Sequence, residues 1–393
     1  MRRLAGLLLA ALLCAPAAAE APRVTGFEHR VEADGLSLRL ALSAGTQLSR
    51  FTLADPPRLV LDFPALDWPG GPPEADDLPG IEAIRYGRFG PGRMRIVIAL
   101  DAPMAVETRM ADGPVLEIAL GPTDPVRFRE AAGWPDAARW TPGPLPEPPG
   151  EGIVVAIDPG HGGIDPGAER GGLVEKEIVL EIGKLLAARI AEVPGLVPFL
   201  TRTDDRFIPL GGRIRLARAA GAHLFLSLHA DALQYGEATG VSVYTLSERG
   251  ADSGTEAFVA RENRVDVLAG ADLAGTADDV TRVLIDLARR STQAESARLA
   301  DGLVAALSEG VDLLDTRPHR RGNFYVLKAP DLPSVLIELG FLTSAEDRAR
   351  LMDPGWRARV TERIAAGVLD WSARAGPGFL APRPGRAEVG EGG

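Results

Sequence analysis

Four side chains, far apart in the sequence, have the types that a metal-dependent hydrolase needs. His161 lies in IDPGHGG directly after an apolar run, Glu175 lies in VEKEIVL, His229 ends LFLSLH and Glu338 lies in SVLIEL. Two histidines and one glutamate form a known zinc ligand set that leaves one position for water. A further carboxylate can take the proton of that water. Together, the four residues indicate hydrolysis at a bound metal.

Each of these residues also has a purely structural interpretation when it is considered alone. His161 can be a turn histidine, His229 a hydrogen-bonded histidine at a strand end, and Glu175 a carboxylate favoured at a helix N-terminus. Glu338 is harder to explain in this way, because a carboxylate in an apolar strand is expensive to bury without partners. The functional interpretation gains weight because the chain order places all four residues at one edge of a sheet.

The elements that must position these residues alternate between strands and helices after residue 152. This alternation predicts an α/β domain whose mostly parallel sheet is flanked by helices. In such sheets, ligands bind beyond the carboxyl ends of the strands. The predicted strands are 153–157, 196–200, 224–229, 240–246, 323–327 and 334–339, and the predicted helices include 174–193, 210–220 and a final helix that ends near 374.

His223 is a tempting fifth member of the group, but strand geometry excludes it. Six strand residues separate it from His229, which is roughly 20 Å at about 3.3 Å per residue. We therefore expect His223 at the opposite edge of the sheet, in a surface role. His319, in the basic turn RPHRRGN, is not assigned to the metal, although it is a candidate for approaching substrate.

A different pattern precedes the α/β domain. Short segments that alternate apolar and polar residues, such as LSLRLAL and RLVLDF, predict a small all-β domain over 20–122 whose antiparallel sheets have one solvated face. A Pro-rich linker is predicted over 123–151 and the catalytic domain over 152–374. Within the latter, about 247–295 has helical spacing and no strand signal, which indicates an inserted helical region. Residues 375–393 are predicted to be a disordered tail.

The N-terminus and the composition restrict location and partners. Two arginines, an apolar run and a small-residue stretch predict a signal peptide over 1–19, cleaved near Ala19, since the run is too short to span a bilayer. Cys14, the only cysteine, lies inside it. The net charge of -11 argues against nucleic acid as a partner. We expect an exported chain with no disulfide and no membrane span after cleavage.

Taken together, IDPGHGG, VEKEIVL, RTDDRFIPLGGR, LSLHAD and NFYVLKAPDLPSVLIELGFLTS resemble the zinc-dependent N-acetylmuramoyl-L-alanine amidases of bacterial cell walls. The N-terminal PPRLVLDFP resembles the AMIN domain that precedes such amidases in Gram-negative bacteria. The resemblance implies one Zn²⁺ per chain, held by His161, Glu175 and His229, with Glu338 as the catalytic carboxylate. It implies a periplasmic enzyme that cleaves the amide between N-acetylmuramic acid and L-alanine in peptidoglycan.

The inserted region resembles the cell-division branch of that family. In this branch a helix blocks the site until a LytM-type activator displaces it. The segment FVARENRVDVLAG matches the blocking helix, and it makes Glu262 the candidate for an autoinhibitory cap on the metal. A solvated helix glutamate is the competing interpretation. The apolar stretch VTRVLIDLA is the candidate docking surface for the activator, with a core helix as its alternative.

Two other functions remain open at this point. A zinc peptidase that cuts within the stem peptide would share the same metal chemistry, although the order of the motifs favours the amidase. A non-catalytic peptidoglycan-binding protein with a relic site is the second alternative. The carboxylate of Glu338 argues against it, because a relic has no need for a buried charge there.

Overall fold

In the computed structural model, the described residues are 20–375 except 112, 142, 148, 233–237, 248–254 and 272–281, and the side chains of 268 and 282–289 are also left out. The predicted signal peptide and all but the first residue of the predicted tail lie outside this range. Among the described residues, no helix combines the length and the apolar character needed to cross a membrane.

The N-terminal domain is built of strands alone, as predicted, and is called the β-domain below. It forms two four-stranded antiparallel sheets, in the orders β1–β2–β8–β7 and β3–β4–β6–β5, whose inward apolar side chains form one core. Its strands are β1 (Val24–Glu32), β2 (Gly35–Leu42), β3 (Ser49–Leu53), β4 (Arg58–Phe63), β5 (Ile81–Gly90), β6 (Arg93–Leu100), β7 (Met104–Ala111) and β8 (Val115–Pro122).

The two sheets differ in how their outer faces are covered. Strand β2 has the predicted alternation of buried and more accessible residues, whereas all six residues of β4 are buried. The prediction of one solvated face is therefore wrong for β4. Its outer face is covered by other parts of the chain, which are described below.

The first part of the predicted linker is folded. Helix α1 (Pro125–Ala131) begins after Asp124, whose side chain accepts a hydrogen bond from Val126 N at 2.7 Å, and Pro125 occupies its first turn. A 3₁₀ turn follows at Asp136–Ala138. Trp134 lies between the two and packs against Phe51 of the β-domain, with 5.5 Å between ring centroids.

The second domain has a six-stranded sheet in the order β12–β9–β13–β16–β14–β15. The first four strands are parallel, and β14 runs antiparallel to β16. The predicted mostly parallel sheet with flanking helices is thus confirmed. Its strands are β9 (Ile153–Pro159), β12 (Leu196–Leu200), β13 (Leu224–His229), β14 (Ser242–Leu246), β15 (His319–Gly322) and β16 (Ser334–Glu338), and a separate small hairpin has β10 (Glu169–Arg170) and β11 (Leu173–Val174).

Helices cover both faces of this sheet, which explains why its central strands are continuous apolar runs. Helices α2, α6 and α8 pack on one face, and α3 and α4 contribute to the apolar cluster on the other. The helices are α2 (Glu175–Ala191), α3 (Leu210–Ala219), α4 (Glu256–Asn263), α5 (Val265–Leu268), α6 (Arg282–Leu307), α7 (Ala345–Met352) and α8 (Pro354–Arg374).

The strand predicted at 323–327 is wrong. Residues Tyr325–Leu327 form a 3₁₀ turn, and Phe324 and Val326 pack into the apolar cluster beside the sheet instead of extending it. The edge strand is β15, whose sequence HRRG carries the charges that commonly protect an exposed sheet edge. The apolar stretch VTRVLIDLA, residues 280–288, belongs from Arg282 onward to the helix α6.

Candidate metal centre and active site

Backbone geometry brings the four predicted residues to one edge of the sheet. His229 and Glu338 are the last residues of β13 and β16 and are direct partners in the parallel register of these strands. Glu175 is the first residue of α2, and His161 follows β9 in a left-handed conformation with φ of 57°. Gly160 has to be glycine here, because a Cβ atom would lie 2.5 Å from Cε1 of His229.

His161, Glu175 and His229 form a compact buried group. Glu175 Oε1 lies 3.1 Å from His161 Nε2 and 3.2 Å from His229 Nδ1. One potential ligand atom from each residue lies within 4.8 Å of the others. The Glu175 carboxylate is oriented by backbone N–H groups, because Ala230 N donates to Oε1 at 2.9 Å and Ala168 N donates to Oε2 at 2.8 Å.

The donor set and its surroundings fit a zinc ion. Asp165 Oδ2 lies 2.7 Å from His161 Nδ1, so it fixes the ring and turns Nε2 toward Glu175. This Nε2 is buried and has no hydrogen-bond partner among the described residues, as expected for an atom intended for a ligand. A carboxylate behind a ligating histidine is a usual second partner at metal sites. Asp165 was not predicted from the sequence, although it lies only four residues after His161.

Glu338 is completely buried at the same edge. Its Oε2 accepts a hydrogen bond from Asp231 N at 3.0 Å, whereas Oε1 has no partner among the described residues. Burial raises the pKa of Glu338 well above its usual value, and the negative charges of Glu175 and Glu262 raise it further. The strand therefore holds a carboxyl group with one oxygen available to take or give a proton.

Glu262, on α4, also reaches the buried group. Its Oε2 lies 3.6 Å from His161 Nε2 and 3.4 Å from His229 Nδ1, and the residue is only 6% exposed. The cavity at the site has a volume of only about 10 Å³ and is lined in part by Glu262, Asn263 and Val265. This volume is about enough for one water molecule, so a peptide substrate does not fit while α4 lies there.

The electrostatics of the group favour a cation. Burial lowers the pKa of His161, but the carboxylates of Asp165, Glu175 and Glu262 outweigh burial and raise that pKa well above its usual value. Burial raises the pKa of Glu175, but His161 and His229 outweigh it and lower that pKa well below its usual value. An excess of buried carboxylates thus attracts positive charge to the imidazoles, as a proton or as a metal ion.

Two buried arginines, which were not predicted as site residues, hold the loop that carries His161. Arg213 donates to the carbonyl oxygen of His161 at 2.6 Å and to Asp158 Oδ1 at 2.9 Å. Arg202 donates to the carbonyl oxygens of Pro159 at 2.9 Å and Gly160 at 2.7 Å. Both residues lie in the quoted stretch RTDDRFIPLGGR, whose density of arginine and aspartate was the available signal.

The other histidines lie apart from the buried group. His223 lies at the opposite edge of the sheet, as predicted, but its predicted surface role is wrong. It is 4% exposed, and its Nδ1 accepts a hydrogen bond from Val154 N at 3.0 Å, so it caps the start of β9. His319 lies on β15, 3.0 Å from Thr245 Oγ1 and 2.8 Å from Asp301 Oδ1.

Comparison with known proteins identifies both domains of the chain. Residues 155–370 match the family model for N-acetylmuramoyl-L-alanine amidase, and residues 27–119 match the AMIN domain. The chain is 33% identical to the amidase AmiC of Neisseria meningitidis, over 94% of this chain and 95% of that protein. It is 31% identical to AmiC of Escherichia coli O6:H1, over 85% and 86% of the two chains.

A solved structure, the amidase AmiC2 of Nostoc punctiforme, is 29% identical, covers 57% of this chain and 100% of its own, and has a TM-score of 0.43. The two family-model matches and the full-length relatives define a hydrolase of the bacterial cell wall. The chain belongs to the N-acetylmuramoyl-L-alanine amidase family, with an AMIN domain before the catalytic domain. It is an amidase that acts on peptidoglycan in cell-wall remodelling.

Proposed function

We propose that this amidase is zinc-dependent and autoinhibited, and that it splits septal peptidoglycan during cell division. The observation that carries the proposal is the placement of one carboxylate, Glu262, against two buried imidazoles. It lies within 3.6 Å of His161 Nε2 and 3.4 Å of His229 Nδ1, where water and substrate have to bind. The Glu262 carboxylate thus occupies the position beside the two imidazoles and blocks access of substrate to it.

His161, Glu175 and His229 would hold one zinc ion. When bound, the ion supplies Lewis acidity, which lowers the pKa of a bound water and polarises the scissile carbonyl. Glu338 is the catalytic carboxylate: it accepts the proton of the attacking water and passes it to the leaving amine of L-alanine. The N–H of Asp231 orients Glu338 through Oε2, which leaves Oε1 free for this proton transfer.

The inhibitory element is the covering segment, defined as residues 255–271 with helices α4 and α5. Besides Glu262, the side chains of Arg261 and Asn263 hold this segment over the site. Arg261 forms an ion pair with Asp231 and donates to the carbonyl oxygen of Ala232 at 2.9 Å. Asn263 Oδ1 accepts from Tyr325 N at 2.7 Å. Release of these contacts would open the cavity to substrate.

The wider setting follows from the family and from the predicted N-terminus. A cleaved leader and an AMIN domain suit an exported, periplasmic enzyme that the β-domain helps to place on peptidoglycan. A LytM-type activator would displace the covering segment. Its predicted docking surface, residues 280–288, lies outside the residues whose side chains the structure describes, so that surface stays a prediction.

The test is mass spectrometry of sacculi digested with the purified protein and with Glu262→Ala, which removes the carboxylate that faces the imidazoles and keeps the buried apolar side chains of α4, Phe258 and Val259. We expect stem peptides that begin with a free L-alanine amine, together with glycan free of peptide. EDTA should remove the activity of Glu262→Ala, and stoichiometric zinc should restore it.

Three results would contradict the proposal, each in a different part. Activity that survives chelation, with no metal detected by elemental analysis, would exclude zinc dependence. Equal basal rates for the wild type and Glu262→Ala would exclude the inhibitory role of Glu262. Shortened stem peptides still attached to glycan would indicate cleavage within the stem peptide.

A further inference from the structure

The outer face of the sheet β3–β4–β6–β5 carries an unusual buried charge network. In β4, Leu59 and Leu61 point into the core of the β-domain, so Val60 and Asp62 point to the outer face. Asp62 accepts two hydrogen bonds from the fully buried Arg95 of β6, at 2.6 and 2.8 Å. The guanidinium of Arg95 also lies 3.4 Å from the ring centroid of Phe89. Such a bidentate, stacked arginine is held rigidly.

Two arginines of this face donate to the covering segment, and Arg95 Nη2 also donates to the carbonyl oxygen of Ala138 at 2.9 Å. Arg95 Nη1 donates to the carbonyl oxygen of Gly270, and Arg58 Nη1 donates to the carbonyl oxygen of Val267. Val267 lies in α5 and Gly270 lies just after it. The carbonyl oxygen of Val267 also accepts from Gly270 N at 3.0 Å, so the two arginines add side-chain donors to the turn that ends α5. Burial lowers the pKa of Arg58 to about 10, so both the charge and the donor remain at neutral pH.

Apolar contacts extend the same interface. Val265, Ala269 and Ala271 of the covering segment are buried in one cluster with Val60 and Val97 of the β-domain. A Cβ atom on Gly270 would lie 3.6 Å from Val60 Cγ2, so the turn after α5 sits directly on β4. Gly270 has a φ of 61°, the left-handed conformation of a helix-ending glycine, which turns its carbonyl group away from α5.

The β-domain is also fastened to the loop beside the metal site. Phe207 N donates to the carbonyl oxygen of Arg88 at 3.2 Å, and Arg88 forms an ion pair with Asp204 at 2.9 Å. Gly87 and Gly163 pass so closely that a Cβ on Gly87 would lie 2.4 Å from Ile164 N. The sheet that binds the covering segment is therefore fixed relative to the buried residues of the metal site that the segment covers.

We propose that the outer face of the sheet β3–β4–β6–β5 is a binding surface for residues 265–271 of this chain and keeps the covering segment closed. The β-domain is then part of the inhibitory device as well as a domain that places the enzyme on the wall. The inference rests on the proposed function, in which the covering segment is inhibitory. Anything that loosens the contact between this sheet and α5 releases the segment.

The first experiment compares Arg58→Ala with Arg58→Lys and with Arg39→Ala, which removes an arginine from the other sheet of the β-domain. Hydrogen exchange of residues 255–271 is measured in the zinc-loaded full chain, together with the basal rate on sacculi. We expect Arg58→Ala to speed up exchange of this segment and to raise the basal rate several-fold. Arg58→Lys should recover part of the protection, and Arg39→Ala should behave as the wild type.

A cross-link provides a second, independent readout. The sequence contains no cysteine other than Cys14 of the predicted leader, so introduced thiols are unambiguous. Val60→Cys with Gly270→Cys places two side chains within about the reach of a disulfide. The oxidised form should exchange residues 255–271 more slowly than the reduced form and should have a lower basal rate, and reduction should reverse both effects.

The outcomes separate this inference from the proposed function. If Glu262→Ala raises the basal rate but Arg58→Ala and the cross-link change neither exchange nor rate, the β-domain does not hold the segment and the inference is wrong. If Glu262→Ala also has no effect, the inhibitory role itself fails. Faster exchange across the whole β-domain in Arg58→Ala would indicate general unfolding, and the cross-linked pair then decides.

Discussion

The metal site has two sides that are built in different ways. The frame is formed by His161, Glu175, His229 and Glu338. Three of these residues sit at strand ends or at a helix start with backbone hydrogen bonds, and the loop of His161 is held by two buried arginines. The covering segment brings Glu262 to the same atoms but is attached to the rest of the molecule through side-chain contacts and apolar packing. The frame is thus built into the catalytic domain around the sheet. The covering segment packs on the frame and on the β-domain without adding a strand to the sheet.

This difference supports the two roles proposed for carboxylates whose environments are alike. Glu175, Glu338 and Glu262 are all buried near the two imidazoles. A carboxylate on the frame stays in place through a reaction cycle, so it can hold a metal or carry a proton. A carboxylate on the covering segment can leave without unfolding the sheet, so it suits control. Substitutions on the two sides should therefore change the hydrolysis rate in opposite directions.

The largest effect is expected from Glu338→Gln. Glutamine keeps the shape and the hydrogen bond from Asp231 N but cannot carry the proton, so we expect the rate to fall by roughly 10²–10⁴-fold. Because burial raises the pKa of Glu338, a neutral side chain should not lower Tm. Rate, zinc content and Tm are measured on the purified variant, with the exposed Glu181→Gln as the control. A variant that stays within tenfold of the wild type would remove Glu338 from the catalytic role.

Asp165→Asn tests the support behind the frame. An amide still accepts a hydrogen bond from His161 Nδ1 but brings no charge to the imidazole, so we expect zinc affinity to fall by roughly 10–100-fold. Competition with a chelator of known affinity measures this loss. Asp301→Asn is the matched control, because Asp301 contacts His319 away from the metal group. Equal losses in both variants would mean that Asp165 has no special relation to the metal.

Glu262→Ala tests the covering side and should act in the opposite direction. Loss of the carboxylate frees the position beside both imidazoles, so we expect a basal rate more than about tenfold above the wild type. A tenfold change corresponds to about 1.4 kcal/mol less free energy stabilising the closed state. Glu256→Ala, on the exposed side of the same helix, is the control. A decrease in zinc content without a gain in rate would instead make Glu262 a resident ligand.

The frame was accessible from the sequence because its signals are local. An apolar run that ends in a histidine or contains a glutamate predicts a buried strand with a polar side chain near its end. Because the strands are parallel, their carboxyl ends and these side chains lie at one edge of the sheet. The partners of the frame gave weaker signals. Arg202 and Arg213 lie outside the strands, and only the folded loop shows that their guanidinium groups serve backbone carbonyls.

The covered face of the β-domain shows where periodicity stops being informative. RLVLDF alternates apolar and polar residues, which is typical of a strand with one wet face. The same alternation is also compatible with a face that another part of the chain covers. Here Asp62 pairs with Arg95 beneath the covering segment. The error at 323–327 has a similar origin, because apolar residues that pack beside a sheet have the same composition as residues within it.

The smallest effect is expected from Asp266→Asn, which tests how the covering segment is anchored. Both carboxylate oxygens of Asp266 accept from Leu210 N, at 3.0 and 3.2 Å, at the start of α3. Burial raises the pKa of Asp266 to about 6, with Arg213 opposing and Asp165 reinforcing the shift. The anchored state therefore favours the protonated carboxyl, whose stabilisation is full below the ordinary pKa of about 3.9 and is lost as pH rises through about 6.

The wild-type segment should consequently open more readily at pH 7 than at pH 5, by up to about tenfold. Asparagine keeps an acceptor for Leu210 N and has no charge at either pH, so Asp266→Asn should remove this dependence. Hydrogen exchange of residues 255–271, corrected for intrinsic rates and measured at saturating zinc, provides the comparison. An undiminished pH dependence in the variant would place the titrating group elsewhere in the contact between segment and frame. A lost dependence would identify Asp266 as the anchor through which pH sets how firmly the amidase is closed.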